Sequence, residues 1–396
     1  RLWATEPGVP PADAGTTIDV IAKSVDNLTT GDALKILIGS GGTAVFKGVL
    51  NIDGDLTLEL GATALEMTNG SAIRSTGDFI ITSQADLLLA EVSAGKDGTI
   101  SIITDGKVTG HANQTGAANV SGGTIKLEIQ KDIGTSAQAL TLNAKAGSNN
   151  ENGSIVLVKT PDNAFMSIIT KAVDGVRPTI DIGSSITGLE VGQTLSLTAT
   201  EADLTFKGYV TAASVSIDLA LGALTMTDGK MIKSDGAITV NALEGIAVSN
   251  IVGNATDMNQ VISLTAAQGR IVDRTLNEAA NITTAGTLNL SAESIGSLGN
   301  RDLDIIAKRF AVITTSDRAG EATLESLNTA STNLISADVT GSLTLKVDQG
   351  DLNLLGDVKA NSVLLNLNDK QAAPNMRNVV QSAGTKMTVI GATNIL

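Results

Sequence analysis

The chain repeats itself, and that limits what it can fold into more than any other feature. Leu65-Glu-Met-Thr-Asn-Gly-Ser-Ala-Ile-Arg-Ser-Thr-Gly77 returns as Leu224-Thr-Met-Thr-Asp-Gly-Lys-Met-Ile-Lys-Ser-Asp-Gly236, at one constant offset and without a gap. Phe46-Lys47-Gly48 matches Phe206-Lys207-Gly208, and Ala117-Ala-Asn-Val120 matches Ala279-Ala-Asn-Ile282. A third copy starts late: Leu195, Leu197, Leu204, Phe206 and Gly208 match Leu343, Leu345, Leu352, Leu354 and Gly356, at a constant and slightly shorter offset. The layout read from this is an irregular lead-in at 1–16, one unit with its junction at 17–188, a second at 189–340 and the start of a third at 341–396. Tandem units of roughly 150–160 residues build a surface or a length, and a unique catalytic pocket is not expected of them.

Inside each unit the apolar residues alternate. Leu34-Lys-Ile-Leu-Ile38, Leu56-Thr-Leu-Glu-Leu60, Ile100-Ser-Ile-Ile103, Leu140-Thr-Leu142 and Leu195-Ser-Leu-Thr198 show the pattern. Val215-Ser-Ile-Asp-Leu219, Leu288-Asn-Leu290, Leu343-Thr-Leu-Lys-Val347 and Leu352-Asn-Leu354 repeat it. A period of two is that of a half-buried strand. Asp53-Gly54, Asn69-Gly70, Asp97-Gly98, Asp105-Gly106, Asp228-Gly229 and Asp235-Gly236 punctuate the runs and predict turns with positive φ. No helix-period segment exceeds three turns.

Short strands at even spacing allow a sandwich, a propeller or a solenoid. Aromatic residues are 2% of the chain. Bulky rings fit poorly in a narrow stack, whereas Leu, Ile, Val and Ala stack well, so this scarcity favours the solenoid. The expectation is an all-β, right-handed parallel β-helix. With about 20 residues per coil it makes roughly 18–20 coils. At about 4.8 Å per coil the rod is on the order of 90 Å long. Lys145–Gly153 and Asn368–Ser382 interrupt the pattern and are expected to protrude.

Composition narrows the function. The net charge is −14, which disfavours nucleic acid, because that surface needs clustered Lys and Arg, and no nucleic-acid partner is expected. There is no cysteine, a pattern that hints at an exported protein avoiding disulfide chemistry. No apolar run is long enough for a transmembrane helix. The chain begins at Arg1 and reads as a processed or excised segment.

Several phrases carry a resemblance. They are Leu264-Thr-Ala-Ala-Gln-Gly-Arg-Ile271, Asn281-Ile-Thr-Thr-Ala-Gly-Thr-Leu-Asn-Leu-Ser-Ala292 and Ser294-Ile-Gly-Ser-Leu-Gly-Asn300, with Gly236-Ala-Ile-Thr-Val240. Over residues 30–396 the chain resembles the repeat region of large bacterial surface proteins of the filamentous haemagglutinin type. The resemblance implies export from a Gram-negative bacterium, often by two-partner secretion, and a β-helical passenger that serves as adhesin or stalk. The partners it implies are a host or bacterial cell surface or extracellular matrix, and an outer-membrane export partner. The localisation it implies is extracellular. No N-terminal secretion domain of the two-partner kind and no C-terminal β-barrel pattern is legible, which points to a passenger fragment or another export route.

The residues offer few sites. His111 is the only histidine and sits in Thr109-Gly-His-Ala-Asn-Gln-Thr-Gly, which reads as an exposed loop. One histidine and no cysteine exclude a His/Cys zinc site. Asp53 and Asp55 flank Gly54, and Asp302 and Asp304 stand two apart. Such pairs can bind calcium or act as acid and base on a sugar, but they read here as solvated surface acids. Trp3 and Tyr209 are single, and the equivalent Phe46 and Phe206 read as core, with Leu354 in their place in the third copy. No catalytic, cofactor-binding or metal-binding residue is assigned, and no cofactor. The reading is a non-enzymatic adhesive or stalk segment. Its alternatives are a subunit that associates end to end in an extracellular filament or matrix, as in a biofilm, and a β-helix polysaccharide lyase or hydrolase.

Overall fold

The alternating runs all become strands, and every register pair between them is parallel. In the computed structural model the described residues are 17–19, 34–38, 41–111, 118–135, 140–144, 154–159, 166–170, 179–182, 189–199, 202–275, 279–296, 302–315, 320–367 and 378–396. Among them there is no helix, and parallel sheets stack as a β-solenoid. The lead-in 1–16, Trp3, the segment 145–153 and residues 368–377 of the second expected protrusion lie outside the described residues. The chain divides into two compact units, Arg1–Leu204 and Thr205–Leu396.

Early in the first unit a coil has three strands. Leu56–Glu59, Ala64–Met67 and Ala72–Ser75 form one coil, and Phe79–Ser83, Leu87–Leu89 and Glu91–Ser93 the next. Leu56 pairs with Phe79, Leu65 with Leu87, and Ala72 with Glu91. Inward positions therefore stack on inward positions: Leu58, Ile81, Ile102 and Leu127 form one column in successive coils. All four are at most 4% exposed. Burying each such side chain contributes about 2 kcal/mol. Because the inward side chains stack on those of the adjacent coils, that gain is local to each rung.

The second unit repeats the design with longer strands. Ile217, Val240, Leu264, Leu290 and Val312 form its inner column. Val261–Asp273 runs 13 residues and turns a corner without a break. Its Ile262 pairs with Ile238 and its Arg270 with Gly245, so one strand serves two faces.

Two expectations need correction. A coil can be as short as the step from Ala72 to Glu91 and as long as the step from Ile251 to Ile282. Most steps are longer than the spacing of the runs suggests, so the coils among the described residues are fewer than expected. Rings are few but not excluded from the interior: Phe79, Phe206 and Phe310 are fully buried and Phe46 nearly so. Phe79 lies in register between Leu56 and Ile100. One ring between aliphatic neighbours fills its layer without meeting another ring.

The glycines divide into two kinds, which spacing alone does not separate. Gly70 and Gly229 have φ of 79° and 71° with open space around them, as a turn requires. Gly98, Gly106 and Gly236 do not have positive φ. A Cβ on Gly106 would lie 2.2 Å from the Ala85 carbonyl carbon, and one on Gly236 would lie 2.5 Å from the Ala213 oxygen. These glycines admit the preceding coil.

A hydroxyl two residues earlier accompanies that approach. The Gly106 and Gly236 amides donate to Thr104 Oγ1 and Ser234 Oγ at 3.0 and 3.2 Å. The same hydroxyls donate across to the Ala85 and Ala213 carbonyls at 2.8 and 3.0 Å. Gly77 with Ser75 and Gly286 with Thr284 make the same amide-to-hydroxyl bond. Ser/Thr-x-Gly is thus a corner motif in both units.

Replacing Ile102 by Ala is expected to cost about 2–4 kcal/mol of stability by chemical denaturation. Gly106→Ala is expected to cost about 1–3 kcal/mol through overpacking, whereas Gly229→Asn costs about 1 kcal/mol or less. Equal losses for the two glycine variants would contradict their separate roles.

Candidate functional site

The polar features that the two units share most closely are internal, and they tie coils together. Asn119 and Asn281 close the matching Ala-Ala-Asn segments and are 1% and 0% exposed. The Asn119 side-chain amide donates to the Leu89 and Ala90 carbonyls, each at 3.0 Å, and its Oδ1 accepts the Thr141 amide at 3.0 Å. The Asn281 amide donates to the Ser249 carbonyl at 3.3 Å and to Asp273 Oδ1 at 2.6 Å. Its Oδ1 accepts the Asp304 amide at 2.9 Å. Each asparagine therefore joins the coil before it to the coil after it. A buried amide with both ends satisfied costs little to keep and much to lose.

The candidate carboxylates divide between two environments. Asp53 and Asp55 lie at the surface, as expected, yet both are engaged. Asp53 Oδ1 accepts from Thr76 Oγ1 at 2.9 Å, and Asp55 Oδ1 from the Asp78 amide at 2.8 Å. Asp78 Oδ1 in turn accepts the Thr99 amide at 2.7 Å, and Asp351 and Asp357 do the same for Asn378 and Lys386. An aspartate at a coil corner is a cap for the next coil.

Asp302 and Asp304 are not solvated acids, which corrects the sequence reading. The Asp302 side chain is 9% exposed and Asp304 is 4% exposed. Glu325 and Lys346, which the sequence reading missed, complete the group. Asp304 pairs in register with Glu325, and Glu325 with Lys346. Lys346 Nζ forms an ion pair with Asp302 and lies 3.8 Å from Glu325 Oε2. One half-exposed ammonium thus serves Asp302 and Glu325, two carboxyl groups that the coils withdraw from water, beside a third on Asp304. The signal was present in the sequence as acid, acid and lysine at one constant interval, but that interval is only the local coil length. Charge balance inside a stack is what this arrangement supplies. Among the described residues, no group of three or more His, Cys, Asp or Glu is placed to hold a metal ion.

The remaining candidates stand apart. His111 is half-buried where Val108–Gly110 ends, and its backbone amide donates to Leu89 at 2.9 Å. The Arg274 amide makes the matching bond to Val248 at 2.7 Å, so that position is set by the backbone. Tyr209 is exposed, with Lys230 Nζ 5.2 Å from its ring centre. Phe46, Phe206 and Leu354 are all core. Arg74 donates to Glu91 through two nitrogens, at 2.6 and 2.9 Å. That hydrogen bond pushes the guanidinium pKa further above its usual value. The structure brings the candidate acids of different coils together only where a coil-to-coil bond uses them.

No protein-family model matches the chain, and comparison with curated proteins and with solved structures also gives no match.

Asn119→Ala and Asn281→Ala are each expected to lose about 1–3 kcal/mol of stability, because they leave backbone groups of two coils unpaired. Lys346→Met is expected to lose about 1–3 kcal/mol, reduced from the cost of a fully buried pair by its exposure. Adding Glu325→Gln to Lys346→Met is expected to recover part of that loss in thermal melting. A double variant no more stable than the single one would refute the charge-balance role.

Proposed function

We propose that this chain is a structural and adhesive segment of a large bacterial surface or secreted protein. It works outside the cell, as a stalk or as a flank that attaches to cells or matrix. One observation carries the reading: the residues that recur between the units recur in the same internal roles. Asn119 and Asn281 bridge coils, Ser75 and Ser234 close corners, and Phe46 and Phe206 fill the core. Repetition of this kind adds length, since each coil supplies the edge for the next. The acidic charge supports solubility of an extended surface and disfavours nucleic acid. The resemblance of residues 30–396 to haemagglutinin-type repeats supports the extracellular setting and an outer-membrane export partner.

Negative-stain electron microscopy over a range of concentrations, paired with attachment of the purified chain to cells and matrix-coated surfaces, tests this. Separate thin particles that attach or present a fused tip domain are the expected result. Fibres that lengthen with concentration would replace it with a filament subunit. Release of reducing or unsaturated sugar ends from a polysaccharide panel would replace it with a lyase or hydrolase. Asp53→Asn and Asp302→Asn are expected to leave attachment unchanged.

A further inference from the structure

One turn of the first unit holds a reactive pair that the stack leaves untied. Thr68-Asn69-Gly70-Ser71 joins Ala64–Met67 to Ala72–Ser75, and the Ser71 amide donates to the Thr68 carbonyl at 3.0 Å. The ends are fixed: the Thr68 amide donates to Phe46 and the Ala72 amide to Gly48, each at 2.9 Å. Between them Asn69 and Gly70 lie at the surface, and no described residue hydrogen-bonds the Asn69 side chain or the Gly70 amide. Beyond its two chain neighbours, Gly70 has no atom within 4 Å of where a Cβ would stand. The stack therefore places nothing against the turn at Gly70.

Among the described asparagines, only Asn69 precedes a glycine. Asn119 and Asn281 are buried, bonded at both ends and followed by Val120 and Ile282. Asn254 Oδ1 accepts from Thr256 and Asp257, and Ala255 follows it. The chain's second Asn-Gly pair, Asn152-Gly153, lies outside the described residues.

We propose that Asn69-Gly70 is a self-acting deamidation site. The Gly70 nitrogen attacks Asn69 Cγ, and the new C–N bond closes a cyclic imide. The Gly70 proton and the side-chain NH2 group leave together as ammonia. Water then opens the ring at one carbonyl to give aspartate, or at the other to give isoaspartate, in which the main chain runs through the side-chain carbon. Water is the only co-reactant and nothing is oxidised or reduced.

The second unit shows what the aspartate product does to the turn. There the same turn is Thr227-Asp228-Gly229-Lys230, with the Lys230 amide 3.0 Å from the Thr227 carbonyl. Gly229 has a φ of 71°, against 79° for Gly70. Aspartate fits this turn unchanged. Isoaspartate adds a backbone atom between two ends that the neighbouring coil holds fixed, so it opens the Ser71–Thr68 bond. The site sorts ageing molecules into an intact form and one with a loosened corner.

The test is peptide mapping of the folded chain held in mildly alkaline buffer at body temperature, with isoaspartyl methyltransferase labelling. The Asn69 peptide is expected to show the amide-to-acid mass gain before any peptide carrying another described asparagine. Methyl label is expected to concentrate there, and amide exchange at Ser71 is expected to quicken in the labelled fraction. Asn69→Gln and Gly70→Ala are each expected to slow conversion severalfold, and Asn69→Asp to melt like the parent. An Asn69 peptide that stays intact while Asn254 or another described asparagine converts would overturn the proposal. So would conversion at an unchanged rate in both slowing variants.

Discussion

Everything in this chain depends on the parallel backbone ladder between successive coils, which fixes their separation at about 4.8 Å. At that spacing each inward residue stacks on the equivalent residue of the next coil. Leu58, Ile81, Ile102 and Leu127 satisfy the constraint with flexible aliphatic chains, and Phe79 satisfies it because Leu56 and Ile100 flank it. Alternation of buried and exposed positions follows directly, since a strand cannot point two adjacent side chains at the same stack.

The same spacing decides what happens at corners. Where the chain bends, the preceding coil's backbone lies where a Cβ would stand, so Gly77, Gly106, Gly236 and Gly286 are required by proximity. The bend also leaves amides and carbonyls without ladder partners. Thr104 satisfies them from inside the corner, Ser234 adds to the Gly236–Ala213 backbone bond there, and Asp55, Asp78, Asp351 and Asp357 cap from outside. Part of the acidic charge that the composition records is therefore structural capping. The buried polar residues Asn119 and Asn281 extend the principle to the coils on either side of their own.

A stack of this kind distributes its chemistry along its length instead of gathering it. Among the described residues, the group of Asp302, Asp304, Glu325 and Lys346 is the nearest thing to a convergent site, and its geometry is that of mutual neutralisation. The structural and adhesive role proposed above rests on this distribution of chemistry along the stack.

The sequence by itself determined the strands, their inward residues and the duplication. Period-two alternation in runs such as Leu56–Leu60 and Leu343–Val347 is a local property, and the matching of Leu65–Gly77 to Leu224–Gly236 needs no register. Only the tertiary structure decided which residues meet across coils. Coil length changes along the stack, from steps such as Ala72 to Glu91 up to steps such as Ile251 to Ile282. A spacing that joins Asp304 to Glu325 in one place therefore joins nothing in another. For that reason the sequence could not show that Asp302 and Glu325 share Lys346. Nor could it show which Asp-Gly pairs turn the chain and which admit a neighbouring backbone. The identity of a glycine is written in the sequence, but whether space or φ demands it depends on the coil beneath.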